Sequence, residues 1–293
     1  MQLSKSFLVI TTMLLINSLL WSKENNLNNP YASKVNLNET NIFYTTKGSG
    51  DTTLLFIHGW CINSSYWEGQ QDYFSSKYKT IALDLPGFGE STAIRENWTI
   101  EEYSKDIIRF MNHLELKNVI LIGHSMAGEI VLETALTNHP SIKGIIGVDN
   151  FKMIDVQFTA EQIEQMNGFM KMIENDFANM APDYAERFLL SPATDESVAK
   201  RIKSDFANAD PKIGFLSLSN YVAYTLNESD KLRNLDYKLY LLNGNYTPTN
   251  IQGLERNCKN SFDLYEMQAS SHYPMIENSI EFNRQLQKII DQI

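Results

Sequence analysis

Cysteine is scarce in this chain, with two among 293 residues, Cys61 and Cys258. Two thiols cannot staple a domain of this size, so a hydrophobic core rather than a disulfide framework must hold the fold. Cys61 follows the end of an expected strand and Cys258 closes an expected helix, so they are read as distant and unpaired. Positive charge is also short: 25 Lys and Arg face 35 Asp and Glu, basic runs are absent, and the formal net charge is -10. That balance excludes nucleic acid and anionic membrane surfaces as partners, because both are recognised through clustered cations. Cys and His nowhere fall at metal-ligand spacing and no nucleotide or flavin motif is visible, so neither a metal nor another cofactor is expected. The apolar stretch over residues 7–21 spans about 15 residues, short of the roughly 20 that a membrane-spanning helix needs. It follows a short basic start and exits into Ser22-Lys23-Glu24, so residues 1–22 are read as a signal peptide and the protein as secreted or periplasmic. The alternative is an uncleaved N-terminal anchor, the one case in which a membrane becomes a partner. No cysteine near the end of the stretch offers a lipidation site.

What is present suits a full globular core, with 43% hydrophobic and 11% aromatic residues. Residues 33–39 and 41–46 alternate around a turn-prone Asn38-Glu39-Thr40-Asn41 and read as a hairpin-like start. Residues 53–58, 80–83, 119–122, 142–148, 238–242 and 262–267 are apolar runs of strand length, mostly continuous, as strands buried on both faces should be. Helical patterns over 65–78, 99–114, 126–138, 249–257 and 278–293 alternate with them, which predicts a largely parallel sheet with helices on both sides. Residues 151–235 break the alternation. They hold no convincing strand but several amphipathic stretches, at 160–177, 182–190, 196–208 and 212–226. A helical insertion at the carboxyl end of a parallel sheet lies where such folds bind ligands, so it reads as a lid over a pocket. The organisation expected is therefore a core over residues 28–150 and 236–293, split by a helical cap over residues 151–235.

The most informative segment is Gly123-His124-Ser125-Met126-Ala127-Gly128, which ends an apolar strand and passes at once into a helical pattern. A serine on so tight a strand-to-helix turn projects its hydroxyl clear of the backbone, beside the unpaired N–H groups at the helix start. Ser125 is accordingly the candidate nucleophile, although a serine here could equally cap the helix. Ala127 stands where the usual Gly-x-Ser-x-Gly pattern has its second glycine.

Three other segments accompany it in order: Phe56-Ile57-His58-Gly59-Trp60, Asp84-Leu85-Pro86-Gly87-Phe88-Gly89-Glu90-Ser91, and Ser271-His272-Tyr273-Pro274. Together the four motifs, covering essentially residues 35–293, resemble the α/β-hydrolase superfamily, in its cap-bearing branch of small esterases, carbon-carbon bond hydrolases, haloalkane dehalogenases and epoxide hydrolases. The resemblance implies an α/β-hydrolase fold, a mostly parallel eight-stranded sheet flanked by helices, with the cap inserted after the sixth strand. It implies that Ser125 attacks an acyl carbonyl and His272 moves its proton, with the backbone N–H groups of Trp60 and Met126 as the oxyanion hole. His58 is expected to buttress the oxyanion loop, Asp84 to anchor its turn, and His124 to pack or line the pocket rather than act as a base.

The family's usual acid is an aspartate three residues after the glycine that ends the strand following the cap; here that place is Thr247. Some members supply the acid from the end of the strand before the cap, and this chain has Asp149 there. Asp149 is therefore assigned the acid role, with a helix-capping turn as its bland alternative and Asp155 and Asp236 as weaker candidates. A serine nucleophile disfavours dehalogenase and epoxide-hydrolase chemistry, which use an aspartate. The expected function is hydrolysis of a carboxylic ester of a small to medium apolar molecule. Carbon-carbon hydrolysis and acyl transfer are alternatives, as is a non-catalytic receptor for a hydrophobic ligand.

Overall fold

The computed structural model describes residues 29–293, so the signal peptide expected over residues 1–22 lies outside the described residues. One twisted sheet runs through them in the order β1-β2-β4-β3-β6-β7-β8-β9, with β5 beside β2. Its strands are β1 (Ala32–Leu37), β2 (Thr40–Lys47), β3 (Thr53–Ile57), β4 (Lys79–Leu83), β5 (Thr92–Ala93), β6 (Val119–His124), β7 (Ile142–Val148), β8 (Leu239–Gly244) and β9 (Phe262–Met267). Pairings of β2 with β1, β4 and β5 are antiparallel, and every pairing from β4 through β9 is parallel. The continuous apolar runs are the central strands: every residue of β3, β6 and β8 is buried. The expected eight strands become nine because of β5, whose two residues are too short to leave a pattern in the sequence.

Helices cover the sheet where their apolar residues recur every three or four positions. In α2 (Ile100–His113), Ile100, Tyr103, Ile107, Phe110 and Met111 face inward and the Thr99 side chain caps the start by accepting from Glu102 N. The expected helix over 65–78 is a 3₁₀ turn (Ser64–Trp67) running into α1 (Glu68–Phe74), because Asn63 caps the turn by accepting from Ser65 N. The helix after the serine turn, α3 (Met126–Ala135), is buried around nearly its whole circumference.

Between β7 and β8 the chain is helical: α4 (Ala160–Asn175), α5 (Phe177–Tyr184), a π turn (Ala185–Leu189), α6 (Glu196–Asn208), α7 (Pro211–Thr225) and α8 (Glu228–Arg233). Pro182 does not start a helix as its position in the sequence suggests; it lies inside α5, and the helix loosens into the π turn just beyond it. Trp60 joins this insertion to the core. Its indole Nε1–H donates to Gly214 O (2.8 Å), and its ring meets Phe177, Tyr184 and Phe206 edge-on, with centroids 5.1 to 5.8 Å away. Gly214 permits the approach, since a Cβ there would sit 2.3 Å from the Phe177 ring.

A second junction is charged. Glu129 of α3 and Glu228 of α8 are both buried, and each carboxyl feels the other. Burial raises the affinity of both for a proton, Glu228 up to about 7, so the pair holds a proton that the unfolded chain releases near 4.5. The native state then binds more protons than the unfolded one between these values, and stability falls as pH rises through that window. The Tm should therefore drop between pH ~5 and ~8, and Glu228→Gln should flatten the drop and raise Tm at the upper end by about 5 °C, read by thermal denaturation at both pH values.

Candidate active site

Ser125 sits on the turn between β6 and α3 with φ 53° and ψ -127°, a conformation that costs a non-glycine residue of order 1–3 kcal/mol. Its surroundings enforce the turn. Ser125 N donates to Val148 O (2.9 Å) and Gly128 N to Ser125 O (2.7 Å). A Cβ on Gly123 would lie 2.2 Å from Ala127 O, and one on Gly128 would overlap the Asn150 amide. The glycine needed after the serine is thus Gly128, where the Asn150 amide leaves no room for a side chain, and Ala127 takes the place of the motif's second glycine without conflict. The Ser125 side chain makes no capping bond to α3, so the capping alternative does not hold.

Asp149 follows β7, also in the left-handed region (φ 49°), which aspartate tolerates better than most residues. Its carboxylate is the best-connected group in the site. Oδ2 lies 2.5 Å from His272 Nδ1 and accepts from the Tyr246 hydroxyl at 3.0 Å, while Oδ1 accepts from Gly244 N at 2.8 Å and pairs with Lys152 Nζ at 2.6 Å. Burial alone would raise its pKa, but hydrogen bonding and charge from His272 and Lys152 outweigh that and bring it down to about 2. With the anion on Oδ2, His272 Nδ1 is the donor, which leaves Nε2 as its basic nitrogen. The weaker acid candidates pair elsewhere, Asp155 with Arg256 and Asp236 with Lys259.

Lys152 and Tyr246 were not among the residues expected from sequence. Lys152 is only 8% exposed, donates also to Gly244 O (2.7 Å), and lies 4.1 Å over the Tyr246 ring. The Tyr246 hydroxyl is 3.2 Å from His272 Nδ1. The only sequence signals were that Lys152 stands three residues after Asp149 and that Tyr246 lies in the loop where the usual aspartate is missing.

The loop carrying His272 is tied on three sides. His272 N donates to Leu189 O of the insertion (3.0 Å), His124 Nε2 donates to His272 O (2.7 Å), and Glu277 accepts from Ser271 N (2.7 Å) and both the Ser270 and Ser271 hydroxyls. Burial and the neighbouring His272 push the pKa of His124 down to about 3, so it stays neutral and acts as a strut. His58 holds the loop before Trp60: its Nδ1 donates to Gly59 O (2.7 Å) and its Nε2 accepts from Leu85 N (2.8 Å). Asp84 anchors its turn by accepting from Ser64 N and Glu90 N, both at 2.7 Å. Cys61 and Cys258 are free thiols.

Ser125, Met126, Trp60 and His272 of the core line one cavity of about 80 Å³, closed from above by Tyr184, Leu189, Phe206, Leu218 and Tyr221 of the insertion. Its walls are largely aromatic, with Ser125, His124 and His272 as polar members, and among the described residues carry no lysine or arginine. A serine on a strained turn and an imidazole held by a buried carboxylate thus share one chamber.

Fold and constellation together define a hydrolase of the parallel-sheet, nucleophile-turn class. Residues 52–279 match the alpha/beta hydrolase fold family, and the chain belongs to that family. A curated relative, the pimeloyl-[acyl-carrier protein] methyl ester esterase of Wigglesworthia glossinidia brevipalpis, is 27% identical over 202 residues, covering 68% of this chain and 73% of that protein. Among solved structures, a thermophilic esterase from Thermogutta terrifontis superposes with a TM-score of 0.74 at 19% identity, covering 89% of this chain and 98% of that one. A bromoperoxidase from Bacillus anthracis superposes with a TM-score of 0.72 at 21% identity, covering 89% and 99%.

If Gly123 is what permits the serine turn, Gly123→Ala should destabilise the protein by about 2 kcal/mol or more, seen in chemical denaturation, since its Cβ meets backbone that cannot yield without reshaping the turn.

Proposed function

We propose that the protein is a serine hydrolase that cleaves carboxylic esters with short, uncharged acyl groups through an acyl-enzyme. In this reading Ser125 attacks the carbonyl, His272 Nε2 takes the hydroxyl proton and returns it to the departing alcohol, and Asp149 holds the imidazole and stabilises the imidazolium. The oxyanion forms against the backbone N–H groups of Trp60 and Met126, the latter at the start of α3, where the helix dipole adds to the attraction. Water then attacks the acyl-serine, with His272 as base. The helical insertion serves as the cap.

The observation that carries the proposal is the 2.5 Å contact between His272 Nδ1 and a buried Asp149, in a site whose cavity also exposes Ser125. The curated relative and a structural neighbour are both named esterases, which supports the same reaction class. The short acyl group follows from volume. A cavity of about 150 Å³ just holds benzene, whereas this one measures about 80 Å³. The absence of lining lysine or arginine disfavours an acyl group ending in a carboxylate.

On a p-nitrophenyl ester series, kcat/KM should be highest for acetate to butyrate and at least about tenfold lower for octanoate. Ser125→Ala and Asp149→Asn should each lower kcat by about three orders of magnitude or more. Turnover that survives Ser125→Ala would overturn the mechanism. Phe206→Ala, by removing one wall of the cavity, should move the optimum toward longer chains, and an unchanged optimum would refute the assignment of the cavity to the acyl group.

A further inference from the structure

The carboxylate of Asp149 accepts three hydrogen bonds and pairs with the Lys152 ammonium, four contacts for the four lone-pair sites it has. Orientation of an imidazole needs one of them. Gly244 N and the Tyr246 hydroxyl satisfy two more without charge. Lys152 is different, because a buried ammonium 2.6 Å from Oδ1 offsets the charge that Asp149 presents to His272.

We propose, on the reading of Ser125, His272 and Asp149 just given, that Lys152 and Tyr246 are positioning residues. They keep Asp149 ionised while offsetting its charge, so that the position of the acidic limb of activity depends on both. With Lys152 in place, the resting group of Asp149, Lys152 and neutral His272 carries no net charge, and protonating His272 makes it cationic. Without Lys152 the resting group is an anion, and protonation neutralises it. In a buried site the second protonation is the easier one, so losing the ammonium makes the base unavailable at higher pH. Tyr246 acts in the same direction more weakly: its O–H donates to the Oδ2 that His272 also uses, and its ring lies against the ammonium.

Other titratable groups facing these atoms do not supply the effect. His124 of β6, with its ring centroid 4.7 Å from that of His272, is held neutral by burial. Glu266 of β9 acts on Lys152 from a distance and favours its charged form. Tyr184 and Tyr273 are buried phenols whose pKa values burial raises, so they are neutral throughout the working range. Glu277 is occupied by the Ser270 and Ser271 donors and by the Thr194 hydroxyl.

The test is the pH profile of kcat/KM for phenyl acetate, from about pH 5 to about pH 9, in wild type, Lys152→Met, Lys152→Arg and Tyr246→Phe. Lys152→Met should move the acidic limb up by about one pH unit, Tyr246→Phe by a smaller step in the same direction, and Lys152→Arg should leave the limb near that of wild type. A merely structural lysine would lower Tm and kcat without moving the limb, so an unmoved limb in Lys152→Met overturns the proposal. If that variant fails to fold, an unmoved limb in Tyr246→Phe overturns it equally. Labelling of Ser125 by a fluorophosphonate separates the two levels. No labelling and no ester turnover in wild type would remove the underlying mechanism, whereas a labelled, active enzyme with an unmoved limb removes only the role of Lys152 and Tyr246.

Discussion

The buried carboxylate of Asp149 is the constraint on which the rest of the site depends. An isolated carboxylate out of water costs several kcal/mol, and it stays ionised here only because every acceptor position is filled. Those fillers come from four separate places: Gly244 at the end of β8, Tyr246 in the loop after it, His272 in the loop after β9, and Lys152 in the loop after β7 that also carries Asp149. One anion therefore gathers the loops at the carboxyl edge of three adjacent parallel strands. The register delivers them there, since Val148 stands opposite Leu242, and Gly244 opposite Met267. A slip between β7 and β8 would leave Asp149 without Gly244 N and the charge without compensation.

The helical insertion completes the chamber and also positions the chemistry. Leu189 O, at the end of the π turn after α5, accepts from His272 N, and Thr194 donates to the Glu277 carboxylate that braces the same loop. The Trp60 indole is fastened to α7 through Gly214 O. Loop and insertion are thus not independent: a displacement of α5 to α7 would move the His272 imidazole and the Trp60 loop together. The closure matters electrostatically as well, because hydrogen bonds and charges around Asp149 and His272 gain strength when water is excluded.

Much of this was legible in the sequence where a physical pattern is unambiguous. Strands buried on both faces are continuous apolar runs, so β3, β6, β7 and β8 stood out, and a serine between such a run and a helix pattern marked the turn at Ser125. β5 was not legible, because two residues carry no period, and α5 was mis-started because Pro182 favours a helix start yet lies inside one here. Asp149 came from the resemblance alone: with Thr247 in the usual acid position, the pattern of family members that carry the acid at the end of the strand before the cap pointed to it. Lys152 and Tyr246 were not legible. A lysine in a loop is ordinarily solvated, and nothing in Asn150-Phe151-Lys152 announces that its amine turns inward onto Asp149.

Relocating the acid changes what its neighbours must be. With the carboxylate after β8, the loop following that strand would carry the charge, and the end of β7 would be free. With Asp149 after β7, the loop after β8 is released to supply donors instead, which is what Gly244 and Tyr246 do. Thr247 in the customary place is therefore no sign of a dismantled site. The orienting interaction is present from the neighbouring strand, at 2.5 Å, and the vacated loop reinforces it.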